Sequence, residues 1–274
     1  MKEIKSFDGT KIAYSIERQK SQIFLIFIHG AGGNLTAWKK EREFFKEKGV
    51  STLALDLRGH GLSGRPNKVK DYTLKNFAKD IKAVIDAEKI KKFILVGHCF
   101  GGMITLEFQK LYPNIAISYI LVGTASKAPS KLKTIRNISF PLLLIFNVLL
   151  RLRSLWPSKQ QNHQEDFDRF IGTGDWNLLR IYSDISYTSF RSWFYTYENI
   201  ANFDGTKVLK DIAVPVLIIQ GEQDKIFSVE DARRTNSLIN KSILDIMPDS
   251  NHITVINNPI ILAEKIYAFY NKII

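Results

Sequence analysis

Residues 93–108 constrain this chain more than any other stretch. An apolar run, Phe93-Ile94-Leu95-Val96, meets Gly97-His98-Cys99-Phe100-Gly101-Gly102. Then Met103-Ile104-Thr105-Leu106-Glu107-Phe108 follows with helical spacing. The pattern is strand, sharp turn, helix. The turn reads G-x-C-x-G, a spacing that lifts one side chain onto a strained bend. Side chains two residues either way would collide in so tight a turn, so glycine stands at both positions. The only cysteine among the 274 residues falls at the centre.

Strand and helix alternate around this turn. Residues 4–6 and 11–16 flank Asp8-Gly9, a hairpin signal. Residues 23–28 (IFLIFI) form a continuous apolar run, as expected of a strand covered on both faces. It ends in His29-Gly30-Ala31-Gly32-Gly33-Asn34. A helix is predicted over 38–48 and a strand over 50–55, closed by Asp56-Leu57-Arg58-Gly59-His60-Gly61-Leu62-Ser63. A helix over 74–88 and a strand over 118–122 follow. After Gly123 the alternation stops, and it resumes with a strand over 214–219, a helix over 229–239, a strand over 242–247 and a helix over 259–270. Such alternation predicts a mostly parallel sheet with helices on both faces.

Composition narrows the class. With 45% hydrophobic residues the chain can bury a core. Its net charge is +12, but the lysines are scattered and no nucleic-acid motif is present. A single cysteine excludes an internal disulfide. The first residues, MKEIKSFDGTKIAYSIE, are charged and alternating, unlike a signal peptide. No apolar run reaches the ~18–20 residues that span a bilayer. The expectation is a cytoplasmic protein.

Two further groups sit where functional residues of such sheets gather, at the C-terminal ends of strands. Gly221-Glu222-Gln223-Asp224 follows the strand at 214–219, and Asp249-Ser250-Asn251-His252 follows the last strand. With Cys99 they give the chain order nucleophile, acid, histidine. These motifs, with His29-Gly30-Ala31-Gly32 and the 56–63 turn, make the sequence resemble the α/β-hydrolase superfamily, of the capped esterase, lipase and non-haem peroxidase type. The resemblance spans nearly the whole chain outside the middle segment. It implies an eight-stranded, mostly parallel sheet flanked by helices, with a helical cap inserted. The division expected is 1–124 and 206–274 as core and 125–205 as cap. It also implies Cys99 as nucleophile, His252 as general base and Asp224 as its orienting acid, with the backbone N–H groups of Phe100 and Ala31 as oxyanion donors.

The chemistry fits each residue type. Imidazole titrates near neutrality and can take and return a proton. A buried carboxylate holds the ring in the productive tautomer. The segment 123–126 offers no alternative carboxylate. His29, His60 and His98 lie in turn motifs and read as structural; His163, beside Gln and Asn, reads as exposed. Asp56 and Arg58 read as braces of their turn. Sulfur in place of the usual serine oxygen makes the turn resemble those of dienelactone hydrolases and polyhydroxyalkanoate synthases, the first only locally. Three readings of Cys99 stand: a native cysteine hydrolase or acyltransferase, a Ser→Cys substitution, or a non-catalytic ligand binder. A carboxylate nucleophile, as in halide-cleaving and epoxide-opening relatives, is excluded by Cys99. No metal cluster or nucleotide fingerprint is present, so no cofactor is implied; Gly30–Gly33 lacks the Lys-Ser/Thr of a phosphate loop.

The middle segment reads as a lid. Residues 138–150 are strongly apolar, flanked by Lys131, Lys133, Arg136, Arg151 and Arg153. They fit a helix packed over an acyl pocket, or one lying in a membrane interface. Trp156, Phe167, Phe170, Trp176, Tyr187, Phe190, Trp193, Phe194, Tyr195 and Tyr197 suit a pocket lining or a plain cap core. The expected substrate is a small molecule, an apolar acyl ester or thioester, with medium-length acyl groups cleaved no more slowly than short ones if the pocket holds the chain.

Overall fold

A run without polar interruption makes a stable strand only when both faces are covered, and Ile23–Ile28 meets that condition at the centre of the molecule. The computed structural model describes residues 1–128, 167–188 and 190–274. The strands are β1 (Lys2–Lys5), β2 (Lys11–Glu17), β3 (Ile23–Ile28), β4 (Ser51–Leu55), β5 (Lys92–His98), β6 (Ser118–Val122), β7 (Val216–Gly221) and β8 (Ser242–Met247). They form one eight-stranded sheet in the order β1-β2-β4-β3-β5-β6-β7-β8. Pairing is parallel from β4 to β8, while β2 runs antiparallel to both β4 and β1.

Nine helices are described: α1 (Lys39–Glu47), α2 (Leu74–Ala87), α3 (Phe100–Leu111), α4 (Leu178–Thr188), α5 (Phe190–Asn202), α6 (Thr206–Leu209), α7 (Val229–Ser237), α8 (Thr254–Asn257) and α9 (Pro259–Ile273). The side-chain alternation of β3 shows how two layers are assembled. Phe24, Ile26 and Ile28 share a core with Phe77, Ile81 and Val84 of α2 and Met103 and Ile104 of α3. Leu25 and Phe27 face the opposite core, with Phe45 of α1 and Leu262, Ile266 and Phe269 of α9. In α2 the buried residues Phe77, Ala78, Ile81, Val84 and Ile85 recur at helical spacing, and Thr73 caps the first turn. The mostly parallel sheet and its helical layers are therefore as the alternation predicts.

Boundaries moved for local reasons. The first strand is Lys2–Lys5, not 4–6, because the Ser6 N–H turns back to donate to the Thr10 carbonyl at 2.8 Å. Trp38 closes a 3₁₀ turn, Leu35–Trp38, capped by the Asn34 side chain, and the α-helix starts after it. The seventh strand starts at Val216, after Pro215, which has no N–H to donate.

The chain between β6 and β7 leaves and re-enters the core through one bonded gate. Ala128 N–H donates to Phe203 O at 2.9 Å and Gly205 N–H donates to Ser126 O at 2.8 Å. Lys127 and Asp204 pair between them at 3.1 Å. Beyond the gate, the described residues hold a 3₁₀ turn at Phe167–Phe170 and helices α4 and α5. The apolar run at 138–150 with its basic flanks, Trp156 and His163 lie outside the described residues. Among the described residues no helix is long and apolar enough to cross a membrane.

At the opposite edge, Glu88 ties β1 and β2 to the end of α2. Its carboxylate accepts from Lys2 Nζ at 2.8 Å, Tyr14 Oη at 2.7 Å and Arg18 Nη2 at 2.8 Å. Burial raises its pKa, but these three donors outweigh it and hold the group down to about 2. The stabilisation is therefore fully present above the unfolded value near 4.5 and is lost as pH falls through about 2. Lys2 and Arg18 are more than half exposed, so screening limits the effect to on the order of 1 kcal/mol. Glu88→Gln is expected to lower Tm at neutral pH, and the gap to the parent should close on acidification. A gap that stays constant in thermal melts across that range would refute this account.

Candidate active site

Cys99 sits between the end of β5 and the start of α3, with φ 52° and ψ −114°. That is the left-handed side of backbone space, which a residue with a Cβ rarely adopts. The surroundings hold it there. Cys99 N–H donates to Val122 O at 2.9 Å, and its carbonyl accepts from Gly102 N–H at 3.0 Å and Thr124 Oγ1 at 2.8 Å. The flanking glycines are required by contact. A Cβ on Gly97 would lie 2.5 Å from Gly101 O, and one on Gly101 would strike Ile28 O. Gly30, in the loop after β3, comes so near that its Cβ would lie 3.2 Å from that of Cys99.

Asp224 lies in the turn after β7. Its Oδ1 accepts the N–H groups of Ile226 at 2.7 Å and Phe227 at 2.9 Å. Its Oδ2 accepts Gln220 Nε2 at 2.9 Å and His252 Nδ1 at 2.9 Å. Burial raises its pKa, yet the charge and hydrogen bond of His252, with the Phe227 and Gln220 donors, keep it below the ordinary value. The side chain is wholly buried, so no water competes for these bonds.

His252 lies in the turn after β8, bonded through Nδ1 to Asp224, and its ring lines the same cavity as the Cys99 side chain. Burial pushes its pKa down, but attraction to Asp224 and Cys99 and the Asp224 hydrogen bond outweigh this and hold it well above the ordinary histidine value. His98 takes the opposite course. Burial, reinforced by the neighbouring charge of His252, drives it down to about 3. Neutral His98 donates from Nε2 to the His252 carbonyl at 2.9 Å. The Phe227 ring closes another side of His252, with centroids 5.5 Å apart.

A cavity of about 60 Å³ opens on Cys99 and His252. Its walls include Ala31, Phe167, Val255 and Ile256, and the ion pair Arg180–Asp184 of α4, whose atoms approach to 3.1 Å. Larger hollows of about 550 Å³ beside α2, α3 and α5 and of about 500 Å³ beside α1 do not reach Cys99.

A family profile described as alpha/beta hydrolase fold matches residues 23–259. The chain belongs to the α/β-hydrolase family. It is 26% identical over 261 residues to Protein ABHD8 of Bos taurus, covering 92% of this chain and 57% of that protein. The chain thus spans about half the length of the curated relative it matches. In structure it resembles a thermophilic esterase from Thermogutta terrifontis, with a TM-score of 0.75 and 20% identity over 99% of this chain and 98% of that one. It also resembles the enol-lactonase of Burkholderia xenovorans LB400, with a TM-score of 0.74 and 19% identity over 98% of this chain and 100% of that one. At those identities the likeness is one of fold.

The fold brings Cys99, Asp224 and His252 together from three sheet-end turns. Ala31 lines the cavity, and Phe100 opens α3 with its ring turned into the core against Phe77. Among the described residues no acceptor takes the N–H of either. His29 donates from Nδ1 to Gly30 O at 2.7 Å and accepts Leu57 N–H at Nε2 at 3.0 Å, bonding the glycine loop to the 56–63 turn. Asp56 and Arg58 brace that turn. Asp56 accepts Leu35 N–H at 2.7 Å and Leu62 N–H at 2.8 Å, and Arg58 forks onto Asp80 with two bonds of 2.7 Å.

Sequence reasoning missed Gln220, and it missed Asp175, Arg180 and Asp184. Gln220 was findable as a polar residue inside an otherwise apolar strand; the other three lie in the segment without periodicity. The aromatic expectation needs correction. Of the described side chains proposed for the pocket, Phe167 lines the Cys99 cavity, whereas Trp176 is 57% exposed and Trp193 stacks on Tyr197. Backbone strain at the elbow is measurable directly. Cys99→Gly is expected to be more stable than Cys99→Ala by about 1 kcal/mol, since only glycine adopts this φ without strain. Equal midpoints in urea would mean the turn stores no strain.

Proposed function

We propose that this hydrolase cleaves carboxylic esters, thioesters included, of short apolar acyl groups, using Cys99, His252 and Asp224 as a triad. The observation that carries the reading is the convergence of three turns on one cavity: the His252 ring, bonded at 2.9 Å to the buried Asp224 carboxylate, lines it together with the sulfur on the strained turn. The imidazole takes the thiol proton as sulfur attacks the substrate carbonyl carbon. The negative charge gathering on the carbonyl oxygen is received by the N–H groups of Ala31 and Phe100, and each such donor is worth ~3–4 kcal/mol. The positive end of α3 adds to the same field. The tetrahedral intermediate collapses as His252 protonates the departing alcohol or thiol, leaving an acyl thioester on Cys99. His252 then removes a proton from water, hydroxide attacks the thioester, and the acid departs as the sulfur regains its proton.

The described walls leave about 60 Å³ beside the sulfur, well short of the ~150 Å³ that holds a benzene ring, and this supports a short acyl group at the reacting carbonyl. Ala31, Val255 and Ile256 supply the apolar wall. In this reading residues 125–205 act as a cap, with α4 as the described part of the roof over the sulfur.

The test is turnover of p-nitrophenyl esters and acyl thioesters of graded chain length. Cys99→Ala and His252→Ala are expected to lose about 10³-fold or more in kcat, and Asp224→Asn up to about 10⁴-fold. Acetyl and butyryl substrates should be cleaved faster than octanoyl. Undiminished turnover by Cys99→Ala would end the covalent mechanism, and absence of turnover by the parent across the panel would favour a ligand-binding protein.

A further inference from the structure

The insertion between β6 and β7 is bonded to both turns that carry the polar half of the site. Asp175 is the centre of this contact. Its Oδ1 accepts the backbone N–H of His252 at 2.8 Å and its Oδ2 accepts the backbone N–H of Lys225, next to Asp224, at 2.9 Å. The residue is 6% exposed. Nearby, Thr173 O accepts Asn251 Nδ2 at 3.0 Å and Asn257 Nδ2 at 3.1 Å, and Gly172 N–H donates to Asn257 Oδ1 at 2.8 Å. The Asp175 carbonyl in turn accepts Arg180 Nη2 at 2.6 Å.

We propose that Asp175 is a positioning residue for His252: one carboxylate, supplied by the insertion, clamps the acid turn to the histidine turn and so fixes the Asp224–His252 hydrogen bond. The inference rests on the triad reading above. The two turns follow β7 and β8, and past the strand ends two backbone bonds join them, Glu222 N–H to Met247 O at 3.0 Å and Gln223 N–H to Ser250 O at 2.8 Å. Neither bond reaches Asp224 or His252; Asp175 adds the contacts at His252 itself and at the neighbour of Asp224. The bond to His252 is buried and the one to Lys225 partly buried, so water competes least at the histidine. A carboxylate forms the stronger class of hydrogen bond, and here one group makes two. The sheet therefore carries the three reacting side chains, while the insertion adds a constraint on the placing of two of them.

A merely stabilising tether and a positioning clamp predict different data. Asn257→Ala removes the neighbouring tether to Gly172 and Thr173 and a bond to Asn251 Oδ1 at 3.0 Å, but leaves both Asp175 bonds in place, and so serves as the structural control. Asp175→Asn presents an amide donor to one of two N–H donors, so one bond becomes a repulsion. For Asp175→Asn we expect kcat lowered about 10- to 100-fold with KM within about 3-fold. Alkylation of Cys99 by iodoacetamide at pH 6.5 should slow by about 10-fold, the direction also expected of His252→Ala. The downfield proton resonance of His252 Nδ1–H should broaden or vanish. Asn257→Ala should lower Tm while leaving the alkylation rate and the resonance in place. If Asp175→Asn does not accumulate folded, Asp175→Ser, which keeps one short acceptor, takes its place with the same signs. The proposal falls if the Asp175 variant lowers Tm yet leaves kcat, alkylation and the resonance as in the parent. Alkylation that is equally fast in His252→Ala and in the parent overturns the triad reading itself, and the positioning role with it.

Discussion

The site depends on main-chain segments that approach more closely than any side chain permits. Gly101 packs against the carbonyls of Ile28 and His29, which draws the start of α3 onto the end of β3. Gly221 packs against those of Ser250 and Asn251, which draws the end of β7 onto the histidine turn. These contacts set the scale of the whole arrangement. Because backbone meets backbone there, the end of the sheet behaves as a rigid frame, and the strained conformation of Cys99 is over-determined by the frame around it.

Electrostatics then sorts the buried imidazoles. His29, His60 and His98 are all held neutral, chiefly by burial, each donating a ring N–H to a backbone carbonyl. His252 is as deeply set, but of the four it alone has a carboxylate on a ring nitrogen. The same desolvation that lowers the pKa of the first three strengthens the attraction that raises that of the fourth and makes it the stronger base. His98 is the link between the two behaviours. Its neutrality lets it lie 5.1 Å, ring centre to ring centre, from His252 while supporting that residue's main chain.

Much of this was legible in the sequence because it is local or periodic. The elbow declares itself through glycine spacing, and the two-faced strands through unbroken apolar runs. Asp224 and His252 could be selected because each follows a strand within a few residues. The insertion offered no such signal. Gly172-Thr173-Gly174-Asp175 reads as an ordinary turn, and nothing in its composition says that its carboxylate reaches two turns 50 and 77 residues away. Residue type misled as well. Trp176 is aromatic yet faces solvent, while among the described residues the insertion lines the Cys99 cavity with Phe167 and with Arg180 and Asp184, whose charges compensate each other across a single helical turn.

The gate at Ser126–Ala128 and Phe203–Gly205 has an evolutionary consequence. Chain ends fastened side by side make everything between them exchangeable, because loop-closure entropy grows only slowly with length. A recombination event could replace the segment between them without disturbing a single strand. What the replacement would have to supply is the set of contacts that Gly172, Thr173 and Asp175 make with the turns after β7 and β8. Variation on this scaffold is therefore expected to be free in size and shape, and tethered at those few atoms.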